Sequence, residues 1–314
     1  RTEKFSIFKF YARRAKRILP ALFFMIIVCI PFSWIWMLPD QLKNFSNSVI
    51  AVTLFVSNIL FWRQSGYFTS EAELNPLLHT WSLAVEEQYY LFFPVILLFF
   101  RTKHRKQLFW FITAMALCSF FVAEWGWRHK PIANFYLSPS RFWELLLGSL
   151  VAIYLENKVT KQNNLLSLMG FVFICVAIFL LDSSTPFPSF YTLIPVLGTV
   201  LIIVYAGKKT LTNKILTFKP LVFIGLISYS AYLWHQPLFS FARIISFDPP
   251  SHAMMLFLAS LTMVVAYISW RFIEKPFREQ RIAIFSNQNR VLLSSVFIGM
   301  FFVCLGIFGS FKDG

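Results

Sequence analysis

The chain alternates between long apolar runs and short polar connections, many of which are basic. A helix needs about 20 mostly apolar residues to cross the roughly 30 Å hydrocarbon core of a bilayer. The runs here approach that length and are continuously apolar rather than alternating, which predicts helices. The candidate spans are 19–38, 46–62, 77–100, 107–125, 140–155, 165–181, 189–205, 220–244, 253–273 and 291–309.

The distribution of basic residues favours nine spans over ten. If every run crosses, the cluster from Arg101 to Lys106 lies on the side opposite to the cluster from Arg13 to Arg17. Lys and Arg concentrate on the cytoplasmic side of membrane proteins, so this arrangement is disfavoured. If 46–62 instead lies in the interface or re-enters the membrane, 22 of the 29 Lys and Arg residues are cytoplasmic. This topology predicts a cytoplasmic N-terminal segment and places Gly314 outside.

Composition supports the membrane class. Apolar residues make up 57% of the 314 residues, charged residues make up 14%, and the mean hydropathy is +0.63. A soluble domain has about 25% charged residues to cover its surface, so secreted, cytosolic and disordered proteins are excluded. We therefore predict an all-α polytopic membrane protein with about nine transmembrane helices and one interfacial or re-entrant segment at 46–62.

Charge and cysteine placement narrow the range of partners. The net charge of +15 is held in clusters between apolar runs and not along one face, so we predict no nucleic-acid partner. The four cysteines lie inside apolar runs, without the spacing of a disulfide framework or of metal ligands. We predict that they act as small apolar residues and that the protein holds no metal.

Polar residues inside a candidate span are the main functional signal, because an intramembrane charge is costly and is functional by default. His79 and Glu86 are seven residues apart, which predicts one helix face and a separation of about 10 Å along the axis. Ser82 and Tyr90 line the same stripe. The adjacent carboxylates Glu86 and Glu87 require a polar cavity, cationic partners or protonation of one group. A catalytic or substrate cavity is favoured over a polar network that holds helices together.

A second polar cluster runs from Ser228 to Pro237. Ser228, Tyr232 and His235 fall on one helix face. The predicted topology places His235 in the outer half of its span, at a depth comparable to that of His79. A site residue and an interhelical hydrogen bond are equally open interpretations of His235.

Charged residues at the ends of three spans form the remaining clusters. The basic segment 10–20 suits either anionic lipid headgroups or a polyphosphate ligand bound by arginines, and its residues alone favour lipid. Glu274 and Arg278 have the spacing of a local ion pair, although Pro276 is predicted to interrupt the helix between them. Arg141 and Glu144 are predicted to be an ion pair or to line a cavity.

Four segments together resemble the acyltransferase family 3 membrane proteins, which O-acylate bacterial surface glycans. The segments are FYARRAKRILPA, HTWSLAVEEQYYLFFP, ISYSAYLWHQPLF and FIEKPFR, in the order of the family and spread over the whole chain. The resemblance implies transfer of an acyl group, usually acetyl, from cytoplasmic acyl-CoA to a sugar hydroxyl. It also implies that Arg14 and Arg17, which match an RxxR element, contact the CoA phosphates with Arg13 in support. This favours a ligand role for the basic segment.

The same resemblance assigns the other site residues. Glu86 and Glu87 match the family's intramembrane acidic pair, and His235 matches its SYxxYLxH element. Family members begin with two further helices, and the first carries an arginine followed about ten residues later by the histidine regarded as the catalytic base. We expect 1–314 to be a single membrane-embedded acyltransferase domain that lacks these two helices, with an extracytoplasmic SGNH-type domain following in the full protein.

The predicted function is acyl transfer from acyl-CoA to a hydroxyl of a cell-envelope glycan, in a multi-pass protein of the bacterial inner membrane. The acceptor expected first is lipopolysaccharide O-antigen or core, and peptidoglycan is second. The alternatives are a transporter or flippase for lipid-linked sugars, and an inactive remnant. The predicted partners are acyl-CoA, a glycan or lipid-linked saccharide, and membrane lipids. The candidate site residues are His79, Glu86, Glu87 and His235 for catalysis, and Arg13, Arg14 and Arg17 for CoA.

Overall fold

A computed structural model describes residues 6–65, 72–100, 105–156, 161–182, 184–246, 248, 250–279 and 287–311. Every regular element within these residues is helical, which confirms the predicted all-α class. The helices are α1 (Ile7–Trp36), α2 (Pro39–Thr53), α3 (Ser57–Gln64), α4 (Thr80–Phe99), α5 (Arg105–His129), α6 (Pro131–Tyr136), α7 (Phe142–Leu155), α8 (Asn164–Leu180), α9 (Leu193–Tyr205), α10 (Leu211–Leu216), α11 (Lys219–Ile245), α12 (His252–Ser269), α13 (Lys275–Arg278) and α14 (Gln288–Phe311).

Five helical segments among the described residues are long and apolar enough to cross a membrane. They are Ile7–Trp36, Thr80–Phe99, Arg105–His129, His252–Arg278 and Gln288–Phe311. Shorter apolar helices cover Phe142–Leu155, Asn164–Leu180 and Phe190–Tyr205. The chain is therefore a polytopic helical membrane protein, and the count of nine spans stays a prediction.

The apolar run 46–62 is not one helix. α2 ends at Thr53, Phe55 has a left-handed backbone φ of 54°, and α3 begins at Ser57. At 1.5 Å per residue α2 reaches roughly 22 Å, which is less than the hydrocarbon thickness. The run therefore does not form one long helix, and its placement in the interface or as a re-entrant segment stays a prediction. α2 begins well before the apolar run, because Pro39 occupies the first helical turn, where its missing N–H costs no hydrogen bond.

The chain divides into two compact units. The first contains residues 1–84 and 224–314, and the second contains residues 85–223. In the first unit Leu22, Met25 and Ile26 of α1 belong to one apolar cluster with buried residues of α2, α11 and α14. Phe23 stacks on Phe302 of α14 with 4.7 Å between the ring centroids. α1 is thus the central packed helix of this unit, and the expected single acyltransferase domain over 1–314 stays a prediction.

In the second unit two helices approach closely at a pair of glycines. A Cβ added to Gly170 of α8 would lie 2.6 Å from the carbonyl oxygen of Gly198 on α9, and the reverse distance would be 2.7 Å. Small residues of this kind let helix backbones come together in a membrane. A separate apolar cluster joins Tyr89 of α4, Ile112 of α5 and Leu146 of α7.

The path from α12 to α13 corrects one prediction. Pro276 was expected to interrupt the helix between Glu274 and Arg278, but the helical path continues to Arg278 through a π-helical turn at Trp270–Glu274. The Lys275 N–H bonds to the Trp270 carbonyl, one residue further back than in an α-helix. This wider turn accommodates a proline, which lacks an N–H and whose ring would strike the carbonyl four residues earlier in a regular α-helix.

The predicted ion pair across this turn is confirmed. The Arg278 Nη1 lies 2.8 Å from the Glu274 Oε1, and the Ser230 hydroxyl of α11 donates to the other carboxylate oxygen at 3.1 Å. The Glu274 side chain is 1% exposed and the Arg278 side chain is 40% exposed. Only the Glu274 charge is buried. Removal of Arg278 therefore leaves a buried charge unpaired, whereas removal of the Glu274 charge does not.

We expect Arg278→Met to destabilise the protein by about 3 kcal/mol, because it leaves the buried Glu274 carboxylate without its counter-charge. Because Arg278 is partly exposed, the loss of stability should lie at the lower end of the range for a broken buried ion pair. The double variant Glu274→Gln with Arg278→Met should recover most of the loss, since the Gln oxygen still accepts from Ser230 and no charge is left buried. Unfolding of the purified protein in detergent measures both values. A double variant as unstable as Arg278→Met would contradict this role for the pair.

Candidate active site

Two histidines come together in the first unit. His79 is the last residue before α4, and His235 lies in the second half of α11. Their rings meet edge to face with 5.2 Å between the centroids. The Tyr232 ring completes the group at 4.9 Å from His79 and 6.0 Å from His235. The two histidines that the sequence placed at similar depth are therefore in contact.

Tyr232 and Ser82 hold the turn that carries His79. The Tyr232 hydroxyl donates to the His79 carbonyl oxygen at 2.6 Å. The Ser82 hydroxyl donates to the same carbonyl oxygen at 3.3 Å, and the two hydroxyl oxygens lie 3.0 Å apart. This network ties the start of α4 to α11.

The backbone of α11 sets the tautomer of His235. The His235 Nδ1 lies 2.7 Å from the Tyr232 carbonyl oxygen, which can only accept a hydrogen bond. In the neutral imidazole the hydrogen is therefore on Nδ1, and the lone pair is on Nε2. Since the side chain is only partly buried, Nε2 is suited to accept a hydrogen bond from a substrate hydroxyl group.

His79 is a buried group with unused hydrogen-bonding capacity. His79 is 8% exposed, and neither of its ring nitrogens has a hydrogen-bond partner among the described residues. The Pro76 backbone faces the ring without reaching full hydrogen-bond geometry. Buried polar atoms are almost always partnered in folded proteins. An orphaned imidazole beside His235 is therefore a candidate for binding a polar group of a substrate.

The segment before α4 is clamped from several sides. The Gln236 side chain donates to the carbonyl oxygens of Glu73 and Asn75, each at 3.2 Å, and the Ser240 hydroxyl donates to the Leu74 carbonyl at 2.5 Å. The Asn75 side chain donates to the Ser48 hydroxyl of α2 at 2.8 Å. None of these residues was predicted as a site residue. The Asn-Pro dipeptide at Asn75 was the available signal, since it marks a turn.

This clamp also corrects the start of a predicted span. The run 77–100 was expected to be helical from its beginning, whereas α4 begins at Thr80. His79 therefore lies in a turn, and its ring is placed by Tyr232 and the clamp rather than by helical spacing. Ser82, which the sequence put on the same stripe, does contact the His79 backbone.

The acidic pair belongs to the part of α4 in the second unit. Glu86 is exposed, Glu87 is partly buried, and Tyr90 packs against the apolar cluster of that unit. That Glu86 and His79 line one cavity stays a prediction. Further along the same unit, the expected pair of Arg141 and Glu144 is confirmed, with 3.5 Å between its closest charged atoms.

The three arginines assigned to CoA lie on the first turns of α1. Arg13 and Arg17 are exposed, and Arg14 is partly buried with its guanidinium carbon 5.6 Å from the centre of the Phe10 ring. Spacings of three and four residues put all three arginines on one side of the helix. Directly after Arg17, the Ile18 carbonyl accepts from the hydroxyl of Tyr229 on α11 at 2.9 Å. The basic segment and the helix of His235 are thus joined within the first unit.

The described residues contain no group of three or more His, Cys, Asp or Glu side chains placed to hold a metal ion. The predicted absence of a metal stays a prediction. The candidate site rests instead on imidazole, hydroxyl and guanidinium groups, which suit hydrogen bonding of hydroxyl and phosphate groups.

Comparison with known proteins shows the family to which this chain belongs. The model of the acyltransferase family 3, described as an acyltransferase domain, matches residues 1–305. The chain belongs to this family, which confirms the resemblance drawn from its four segments.

Two relatives are O-acetyltransferases by name. The chain is 28% identical over 304 residues to the O-acetyltransferase OatA of Staphylococcus aureus, with 91% of this chain and 50% of the relative covered. It is 30% identical over 299 residues to the peptidoglycan O-acetyltransferase OatA of Listeria monocytogenes, with 89% and 47% covered. The chain spans about half the length of these relatives. No solved structure matches it.

Proposed function

We propose that this chain transfers an acyl group, and specifically an acetyl group, from acyl-CoA to a hydroxyl group of a cell-envelope glycan. The contact between His79 and His235 is the observation that carries the proposal. It brings together the Nε2 lone pair of His235, whose tautomer is fixed, and the ring of His79, whose nitrogens have no hydrogen-bond partner among the described residues. These are the groups that a site needs to receive and orient a hydroxyl group.

Arg13, Arg14 and Arg17 hold the donor in this proposal. Phosphate groups pair strongly with guanidinium groups, which offer parallel N–H donors. The predicted topology puts this end of α1 in the cytoplasm, where acyl-CoA is available. The Tyr229 contact with α1 supports the proposal, because it joins the helix of the donor site to the helix of His235.

The reaction moves the acyl group from the sulfur atom of CoA to the oxygen atom of the acceptor hydroxyl group. The acceptor oxygen attacks the thioester carbonyl carbon, a C–O bond forms, the C–S bond breaks, and the CoA thiolate takes the proton that the hydroxyl group loses. His235 accepts the hydrogen bond of the attacking hydroxyl through Nε2, and His79 orients the sugar. The family resemblance assigns the general base itself to a histidine in a helix that precedes these residues in family members. The same resemblance assigns Glu86 and Glu87 a catalytic role.

Peptidoglycan is the acceptor that we propose. The sequence alone put lipopolysaccharide first, but the Listeria relative is a peptidoglycan O-acetyltransferase by name, and no comparable observation favours lipopolysaccharide. A glycan assembled outside the membrane requires the acyl group or the acceptor to reach the far side from CoA. A multi-pass protein of the bacterial plasma membrane suits that task.

Analysis of the cell wall of the source organism tests this function. We expect deletion of the gene to remove base-labile acetyl groups from purified peptidoglycan. The full-length gene should restore them, and a Glu86→Ala version that is present in the membrane in equal amount should not. Loss of acetyl groups from lipopolysaccharide alone would show that lipopolysaccharide, and not peptidoglycan, is the acceptor. Unchanged acetylation of both glycans after deletion would contradict the proposed function. Full restoration of acetylation by Glu86→Ala would contradict the role of Glu86.

A further inference from the structure

An apolar groove runs along α1 in the first unit. Its volume is about 270 Å³, and its walls come from α1, the π-helical turn with α13, and α14. Phe23, Ile273 and Ile298 are typical of its lining, which is almost wholly apolar. Pockets for whole small molecules usually have roughly 300–1,000 Å³. The groove therefore suits one hydrocarbon chain better than a complete ligand.

One end of the groove carries a cation. Lys16 lines the groove, the residue is only 9% exposed, and it has no hydrogen-bond or ion-pair partner among the described residues. A lysine of this kind buries its aliphatic stem along apolar surface and keeps the ammonium group at the edge. An unpaired ammonium group at the mouth of an apolar groove attracts an anion. The ligand that satisfies both features has an anionic head and an apolar chain.

We propose that this groove binds an anionic phospholipid of the cytoplasmic leaflet, with one acyl chain between α1 and α14 and its phosphate at Lys16. The predicted topology places this end of α1 at the cytoplasmic surface, where anionic lipids attract basic segments. The exposed Arg13 and Arg17 on the same turns add positive charge around the headgroup. Charge complementarity and the shape of the groove thus point to the same occupant.

The groove is lined by Lys16 and by none of the arginines that are assigned to CoA. At 3.6 residues per turn, Lys16 lies about 160° around α1 from Arg14, about 100° from Arg17 and about 60° from Arg13. Arg14 therefore faces away from the groove, whereas Arg13 lies next to it. The proposal does not depend on acyl transfer, and it is tested by lipid binding alone.

Lipid retention by the purified full-length protein tests the groove. The protein in mild detergent is incubated with phosphatidylglycerol or phosphatidylcholine, and bound lipid is counted by native mass spectrometry. We expect wild type to prefer phosphatidylglycerol. Lys16→Gln should lower its retention about fivefold, the value of one surface cation facing an anionic lipid. Lys9→Gln, which removes a charge from the same helix outside the groove, should have little effect.

A second variant keeps the test decisive if Lys16→Gln folds poorly. Ser295→Phe fills the groove from α14 and leaves Lys16 in place, so it should lower retention of both lipids. Equal retention by wild type and both variants would overturn the proposal. Displacement of phosphatidylglycerol by palmitoyl-CoA would also overturn it, because the groove would then hold the chain of the thioester. A groove that a second copy of the chain occupies would show as a dimer without lipid, with the same consequence.

Discussion

His235→Gln should lower the rate constant of acyl transfer about 100-fold, while the amount of folded protein should stay the same. The reason is that the ring holds its Nε2 lone pair in one orientation, through the bond between Nδ1 and the Tyr232 carbonyl. Loss of correct orientation of a reacting group costs on the order of 10²-fold. Steady-state kinetics of the full-length protein with acetyl-CoA and a glycan acceptor should show a fall in kcat with an unchanged KM for acetyl-CoA.

His129 provides a matched control for this substitution. It is an exposed histidine at the end of α5, and its Nδ1 makes the same kind of contact with a carbonyl one turn earlier, at 2.8 Å from Trp125. His129→Gln should leave kcat unchanged. His79→Gln should resemble His235→Gln, because its orphaned ring belongs to the same pair. Normal turnover by His235→Gln would exclude the histidine pair from the reaction.

The double variant Arg14→Gln with Arg17→Gln should raise the KM for acyl-CoA by about 100-fold. A hydrogen bond to a charged group contributes about 1.5–3 kcal/mol, and two such losses account for at least that factor. The predicted effect is on donor binding, so kcat at saturating acyl-CoA should change little. The double variant with Lys at both positions should recover part of the affinity, since Lys keeps the charge but cannot bind phosphate through a planar fork.

Lys9→Gln is the control for charge on the same helix, and it should leave the KM for acyl-CoA unchanged. Binding of acyl-CoA can also be measured without turnover, by titration of the purified protein. An Arg14 and Arg17 double variant that binds acyl-CoA with wild-type affinity would show that these arginines face something else, such as lipid headgroups.

The long helices could be predicted from the sequence because the bilayer imposes a length and an apolar composition on each span. The boundaries that were wrong have local causes that hydropathy does not contain. α4 begins at Thr80 because Asn75 and its neighbours form a clamped turn. The helix passes Pro276 because a π turn moves the preceding carbonyl groups. Hydrogen bonding of single residues decided both cases.

The candidate site could be predicted only in part. The sequence identified His79 and His235 as unusual, because each lies in an apolar run, but their contact is a matter of tertiary packing. The hydrogen bond from the Tyr232 hydroxyl to the His79 backbone could not be predicted from the sequence, which showed only that Tyr232 shares a helix face with His235. Lys16 was grouped with Arg13, Arg14 and Arg17 as one basic segment. The structure distinguishes it from them, since Lys16 lines the apolar groove and is 9% exposed, whereas Arg13 and Arg17 are exposed.

Transfer of label in a reconstituted system tests the central claim most directly. The full-length protein is placed in vesicles, radiolabelled acetyl-CoA is supplied on the side of the N-terminal segment, and a soluble peptidoglycan fragment is supplied on the other side. We predict base-labile label on the glycan that depends on the protein and is reduced about 100-fold by His235→Gln. A glycan that crosses the membrane without gaining label would contradict acyl transfer and identify a transporter instead.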